Sequence, residues 1–180
     1  MNELGTKTLK TERLTLSKFK IEDANGVFHN WAGSEKVSEY MTSKPFLSVE
    51  QTEQIIGRWG ERYQNPAFYN WSITLNEINE SIGFIAVVDT LPCGEVELGY
   101  CIGEKWWNKG IMTEALNRVI AFLFEEVGVK KVVASHAVEN PASGRVMQKC
   151  KMQFVKTDEK GVVLGSGKVC DTAVYTIENK

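Results

Sequence analysis

The sequence predicts an α+β fold carried by one domain over residues 1–180, and two observations predict it. Three strand-like runs follow one another between Phe68 and Ile102 with only short polar turns between them, which is a meander and pairs antiparallel. Beyond it come a strand, a glycine turn and a strongly amphipathic helix, then a second strand–turn–helix unit. A strand returning through a helical crossover adds a parallel pair to the sheet. At 180 residues the chain is long enough to bury a substantial core.

Thr8 to Phe19 reads as the opening strand, with Leu9, Leu14 and Leu16 as its apolar positions. Ile21 begins a helical stretch, because Ala24, Val27, Phe28 and Trp31 recur at helical spacing. Ser34 to Met41 reads as a second helix, stopped by Pro45. Ser48 and Gln51 have capping-box spacing and open a helix to about Tyr63, with Ile55, Ile56 and Trp59 facing inward. Phe68 to Leu75, Ser81 to Asp89 and Glu95 to Ile102 are the meander strands, turned at Asn76 to Glu80 and at Thr90 to Gly94. Gly110 to Val127 is the strongest helix, with Met112, Ala115, Leu116, Val119, Phe122 and Leu123 as its buried stripe and Gly128 just past its end. Lys131 to Val138 is a buried strand. Asn140 as N-cap and Pro141 at the first position open a short helix that turns Val146, Met147 and Cys150 inward. Met152 to Ile177 reads as two strands flanking the loop Asp158 to Lys168.

Composition narrows the function class. Hydrophobic content of 43% and charged content of 24% are those of a globular protein. No apolar run reaches the ~18 residues that cross a bilayer, and the first residues lack a signal-peptide pattern, so no membrane association and a cytoplasmic location are expected. Net charge is −2 and no basic block exceeds Lys130-Lys131, which argues against nucleic acid as a partner. Cys93, Cys101, Cys150 and Cys170 are widely spaced without a C-x-x-C pair; they read as reduced, packed thiols, with no metal site expected. A monomer and a homodimer both stay open.

The chemistry-bearing stretch is Trp106-Trp107-Asn108-Lys109-Gly110-Ile111-Met112-Thr113-Glu114-Ala115. A glycine turn that leads a strand into a helix leaves the first helical amides without intrahelical partners, at the positive end of the macrodipole. That is an anion site, and a diphosphate is its natural occupant. A second helix start at Asn140-Pro141 follows the neighbouring strand, so both face one crevice at the carboxyl ends of the strands. Competing phosphate motifs fail. No G-x-G-x-x-G opens a helix, and Gly165-Ser166-Gly167-Lys168 has Val162 and Val169 where a P-loop needs glycine and a hydroxyl.

From Glu97-Leu98-Gly99-Tyr100 through Trp107-Asn108-Lys109-Gly110-Ile111-Met112-Thr113-Glu114-Ala115 to Asn140-Pro141-Ala142-Ser143-Gly144-Arg145-Val146-Met147, the chain resembles the GNAT N-acetyltransferases. It is most similar to their ribosomal-protein N-terminal (alanine or serine) acetyltransferase branch, which Thr11-Glu12-Arg13-Leu14-Thr15-Leu16 and Asp171-Thr172-Ala173-Val174-Tyr175 also match. The resemblance implies a mixed, mostly antiparallel sheet of six to seven strands with helices on both faces, splayed at a parallel pair where the cofactor enters. It implies acetyl-coenzyme A as co-substrate and no metal. The turn Trp107, Asn108, Lys109, Gly110, Ile111, Met112 and Thr113 would wrap the pyrophosphate with backbone amides. Only Gly110 matches the family's Q/R-x-x-G-x-G/A strictly; Trp107 replaces Gln or Arg, and Met112 the last small residue. Tyr100, Cys101 and Ile102 would pair with pantetheine through their backbone, and Asn140 would bond the cofactor arm. Ser143 lies where the branch places a hydroxyl near the leaving thiolate.

Acetyl transfer to an amine requires a neutral nucleophile, a polarised thioester carbonyl and a donor for the departing sulfur. An α-amino group, at about 7.7–8.0, is appreciably neutral near pH 7.5, whereas a lysine at about 10.4 is not. Glu97 and Glu95, two apart on one strand face, are the candidate bases, and Glu97 also matches an acidic position of the family. Glu114 reads instead as a structural first-turn carboxylate. The acyl carbonyl is expected to meet a backbone N–H near Ile102, where the strand would bulge. His136 reads as a core residue, as do Trp31, Trp59 and Trp71, which could also line an acceptor cleft. The implied reaction is acetylation of a primary amine in a ternary complex, with a protein N-terminal α-amine as leading acceptor. Alternatives are a small-molecule amine such as a polyamine, amino acid or antibiotic, and a non-catalytic acyl-coenzyme A-binding module.

Overall fold

The computed structural model describes residues 1–179 and contains one eight-stranded sheet with five helices packed on it. The strands are β1 (Leu9–Lys10), β2 (Leu14–Ser17), β3 (Asn70–Leu75), β4 (Glu80–Leu91), β5 (Glu95–Ile102), β6 (Lys131–Ala137), β7 (Gln153–Val163) and β8 (Val169–Glu178). The helices are α1 (Ala24–Val27), α2 (Glu35–Ser38), α3 (Val49–Arg62), α4 (Ile111–Phe122) and α5 (Pro141–Lys149). Spatial order is β1-β2-β3-β4-β5-β6-β8-β7. Every neighbouring pair is antiparallel except β5 and β6.

The sheet has one strand more than the upper expectation, because the opening run folds back on itself. The Thr11 N–H donates to the Leu14 carbonyl at 3.0 Å, so Leu9–Lys10 returns antiparallel on β2 as a separate short strand. The first helical stretch is also broken, into a tight turn (Ile21–Asp23), α1, and a wider turn (Phe28–Ala32). Three of its four apolar positions pack as predicted: Ala24, Val27 and Trp31 are buried with Phe19, Ile56 and Cys101, while Phe28 is only half-buried. Ser34 caps α2, which stops after four residues. Ser48 accepts from the Gln51 N–H as a capping box requires, but the Gln51 side chain reaches back to the N–H of Leu47 instead of Ser48. β7 runs six residues into the segment expected to be loop, leaving a tight turn at 164–168 that Gly167 makes at φ +88°.

The main core lies between the sheet and α4, with Ile111, Met112, Ala115, Leu116, Val119, Ile120 and Phe122 set against Leu14, Trp71, Ile85, Leu98 and Val132. A smaller core under α1 and α3 covers the opposite face. Trp31 and Trp71 are packing residues at 3% and 0% exposure, and Trp59 packs at a tilt against Phe19, 4.8 Å between ring centroids. No described helix is long and apolar enough to cross a membrane.

What positions the site is the way β5 and β6 part. Their parallel pairing covers only Glu95↔Lys131, Val96↔Val132 and Glu97↔Val133. Beyond Glu97 the two strands diverge while each keeps its other neighbour, down to Ile102 on β4 and Ala137 on β8. The sheet is therefore open on one side of a wedge with Glu97 at its vertex.

Candidate active site

The register tells which backbone groups line the wedge. The Gly103 N–H donates to the Ile82 carbonyl at 2.9 Å, which makes Gly103↔Ile82 a bonded pair and Ile102↔Gly83 an unbonded one. Alternation then turns the backbone groups of Leu98, Tyr100 and Ile102 into the gap, while Cys101 spends its own on Phe84. Of the three residues expected to pair with pantetheine, Tyr100 and Ile102 face the opening and Cys101 does not; its side chain is buried in the smaller core. The Ile102 carbonyl already accepts from the Trp107 indole N–H at 2.8 Å, so its N–H is the group left open. No bulge occurs at Ile102. The shift in register is on β4 at Val88, opposite Leu98 and Glu97. Gly99 is required there, since a Cβ would come within 2.8 Å of the Val88 side chain.

On the far wall, the same bookkeeping from the Val138 N–H bond to the Asp171 carbonyl turns Val133, Ser135 and Ala137 toward the gap. The Ala137 carbonyl is taken by the Asn140 N–H at 2.7 Å and by His136 Nδ1 at 2.8 Å. Asn140 occupies the N-cap position of α5, but its side chain makes no capping bond. The amide is left free, because the backbone at φ −108° and ψ 71° departs from the extended conformation that lets an N-cap side chain fold over the helix start.

The glycine turn forms a concave row of amides. Asn108 at φ +60° and Gly110 at φ +73° both adopt the left-handed conformation, and alternation of this kind turns successive N–H groups to one side. The N–H groups of Lys109, Gly110, Ile111, Met112 and Thr113 have no acceptor among the described residues; the first helical bond runs from the Glu114 N–H to the Gly110 carbonyl. The open amides and the N-terminus of the twelve-residue α4 together fit an anionic phosphate linkage. Trp106 is buried in the main core, whereas Trp107 is exposed with the Lys36 ammonium 5.5 Å above its ring. Met112 is buried, so its bulk is directed into the core and away from the turn.

A brace from the opening segment holds this turn, and sequence reasoning did not assign it. Glu114 accepts from Thr11 Oγ1 at 2.6 Å and from the Arg13 N–H at 3.0 Å. Arg13 Nε and Nη2 each reach the other carboxylate oxygen at 2.7 Å, and Nη1 donates to the Lys109 carbonyl at 3.0 Å. The carboxyl is held below its ordinary range: burial pushes it up, but the bonds from Thr11 and Arg13 and the guanidinium charge outweigh that. The sequence signal was present in Thr11-Glu12-Arg13, but pairing across a hundred residues is not a periodicity.

The two carboxylates of β5 differ. Glu95 is ion-paired to Lys131 at 2.7 Å. Glu97 accepts one bond, from Ser135 Oγ at 2.9 Å, and is half-buried at the vertex of the wedge. On the opposite face, Ser143 in the first turn of α5 meets Tyr100, whose Oη lies 2.9 Å from Ser143 Oγ and 3.1 Å from the Ser143 carbonyl oxygen. Ser143 and Glu97 thus sit on opposite faces of the sheet, at the same opening. His136 is half-buried and not the satisfied core residue expected: it stacks on Tyr175 at 5.7 Å with Nε2 buried and unpartnered. It lies so close to Gly144 that a Cβ there would stand 2.6 Å from Nε2.

A profile for the acetyltransferase (GNAT) domain matches residues 13–153. The chain is 31% identical over 175 residues to an uncharacterized N-acetyltransferase, p20, of Bacillus licheniformis, covering 94% of this chain and 95% of the relative. Its fold superposes on a ribosomal-protein-S5-alanine acetyltransferase from Vibrio fischeri with a TM-score of 0.83 at 16% identity, over 97% of each chain. It also superposes on the microcin C7 self-immunity acetyltransferase MccE, solved with acetyl-CoA and AMP, at 0.81 and 19% over 93% of each. A wedge between two parallel strands, an amide-lined turn at its mouth, a matching profile and a relative aligned nearly end to end lead to one conclusion: this chain is a GNAT-family N-acetyltransferase.

Proposed function

We propose that the protein transfers acetyl from acetyl-CoA to a primary amine in a ternary complex, with a protein N-terminal α-amine as acceptor and residues 1–180 acting as one catalytic domain. The observation that carries this reading is the row of open amides from Lys109 to Thr113 facing the mouth of a wedge whose walls present unpaired backbone. Bound there, the co-substrate supplies an activated acyl group on a thiol leaving group. The amides of the turn hold its diphosphate, and Tyr100 and Ile102 pair with its amide-bearing arm. Asn140, free of capping, donates to the same arm.

Glu97 takes up the proton of the attacking amine, directly or through one water, and Ser135 keeps one of its oxygens fixed so that the other faces the opening. An α-amine needs only this modest base, since much of it is neutral near pH 7.5. Ser143 offers its hydroxyl as a hydrogen-bond donor to the departing sulfur, without giving up the proton. The likeness to the Vibrio fischeri ribosomal-protein-S5-alanine acetyltransferase supports a protein acceptor. A cytoplasmic location and a monomer or homodimer accord with this reading.

One observation favours a second reading, a small cationic amine. A depression of about 470 Å³ between α2 and the β7–β8 turn is lined by Glu35 and Glu39, while its two lysines are engaged in ion pairs, Lys36 with Glu104 and Lys168 with Glu139. The test is mass spectrometry of products after incubation with acetyl-CoA and a panel of alanine- and serine-initiated peptides, polyamines and amino acids. Acetylated peptide N-termini support the first reading, acetylated polyamine the second. Thioester binding without any product would overturn both in favour of a non-catalytic acyl-CoA module.

A further inference from the structure

Tyr100 was expected to contribute only backbone, yet its side chain is the most directly engaged neighbour of Ser143. The phenol emerges from β5 on the face covered by α4 and α5, where the ring packs against the main core. It carries one proton and stands within reach of two acceptors on the same residue, the Ser143 carbonyl at 3.1 Å and Ser143 Oγ at 2.9 Å. Burial pushes the phenol well above its ordinary value, more than the Ser143 contact lowers it, so it stays protonated and acts as a donor.

These distances permit two proton arrangements. In one, Tyr100 donates to the Ser143 carbonyl and the serine hydroxyl hydrogen points back at the phenol oxygen. In the other, Tyr100 donates to Ser143 Oγ and the serine hydrogen is released toward the wedge. Both keep the phenol satisfied, and only the second offers a hydrogen to sulfur. A donor behind a hydroxyl also polarises it and strengthens the bond it makes in turn.

We propose that Tyr100 is a positioning residue for acyl transfer, turning the Ser143 hydroxyl toward the leaving sulfur by shifting its own hydrogen bond from the Ser143 carbonyl to Ser143 Oγ. This rests on the reading of Ser143 as the hydroxyl that meets the thiolate. In the step itself the amine nitrogen bonds to the acetyl carbon, and the C–S bond breaks with its electron pair going to sulfur. The proton shed by the nitrogen, taken up by Glu97, is the one that finally neutralises the thiolate. Tyr100 and Ser143 reorient their hydrogens and lose none.

The test is a double-mutant cycle on thiol release from acetyl-CoA, run with whichever amine supports turnover and with water alone as the acceptor, since hydrolysis breaks the same C–S bond. Tyr100→Phe is expected to lower kcat roughly fivefold, the kinetic equivalent of one neutral hydrogen bond, with KM for acetyl-CoA within twofold. In a Ser143→Ala background the same change should have no further effect on kcat. If Ser143→Ala slows the enzyme and Tyr100→Phe either leaves kcat unaltered or multiplies fully with it, the positioning role is overturned while Ser143 keeps its place. If Ser143→Ala leaves kcat untouched, the reading of Ser143 falls and the inference with it. A purely structural tyrosine would instead raise KM and lower the melting temperature in both backgrounds.

Discussion

Glu114→Gln tests whether the brace from the opening segment holds the cofactor turn. The substitution keeps the shape and one acceptor oxygen, so the Thr11 hydroxyl and the Arg13 N–H can still be served. It removes the charge and confronts Arg13 Nε and Nη2, now 2.7 Å from a carboxylate oxygen, with an amide that cannot accept from them. Hydrogen bonds to a charged group contribute about 1.5–3 kcal/mol each. Taking the low end for two, and allowing for an Arg13 side chain 41% exposed that water can resolvate in part, the net loss is about 2 kcal/mol. For a chain of this size that lowers the melting temperature by roughly 4–8 °C. The pH dependence fixes the sign. The folded carboxyl titrates below its ordinary value, so its contribution is complete above that ordinary value and is lost as pH falls through the lower folded one. Thermal melts of both proteins from pH 7 to pH 3.5 should therefore show a constant gap down to about pH 5 that closes below. Equal melting temperatures at pH 7, or a gap that widens on acidification, would refute the reasoning.

Gly144→Ala places a methyl 2.6 Å from His136 Nε2, so either the imidazole or α5 must shift. The expected results are a loss of about 1–3 kcal/mol in denaturant melts and, where α5 shifts, a fall in kcat, because Ser143 moves with the helix. Ser143→Ala should lower kcat by about 10²-fold with little change in acetyl-CoA affinity measured by calorimetry. Glu97→Gln should cost a similar factor in kcat with an α-amine acceptor, and Ser135→Ala, which only frees one carboxylate oxygen, about tenfold less in the same steady-state assay.

Much of the fold was legible in the sequence because its signals are local. The three meander strands, the stripe of α4 and the buried run of β6 are set by periodicities of two and 3.6, and each lies within a few residues of its expected place. The candidate site was legible to the level of elements: Gly110 starts α4 from a left-handed turn, Glu97 ends the β5–β6 pairing, and Ser143 meets Tyr100 of β5. What stayed hidden depends on contacts distant in sequence or on local backbone detail that periodicity does not carry. The break in the opening strand follows from a 3.0 Å bond between Thr11 and Leu14 and from Arg13 turning to Glu114. That Cys101 turns away while Tyr100 and Ile102 face the wedge depends on the phase of β4 against β5, which no single strand encodes. Asn140 carries the residue type of an N-cap without its bond, since residue type specifies a preference and the backbone at φ −108° decides the outcome.

The most direct test of the account is calorimetry of the intact chain with coenzyme A, set beside pantetheine, which has the same thiol arm and no diphosphate. If the amides from Lys109 to Thr113 grip the diphosphate, coenzyme A binds with measurable heat and raises the melting temperature, and pantetheine binds at least a hundredfold more weakly, a difference of about 2.7 kcal/mol. Equal affinity for the two ligands, or no heat with coenzyme A, would contradict it.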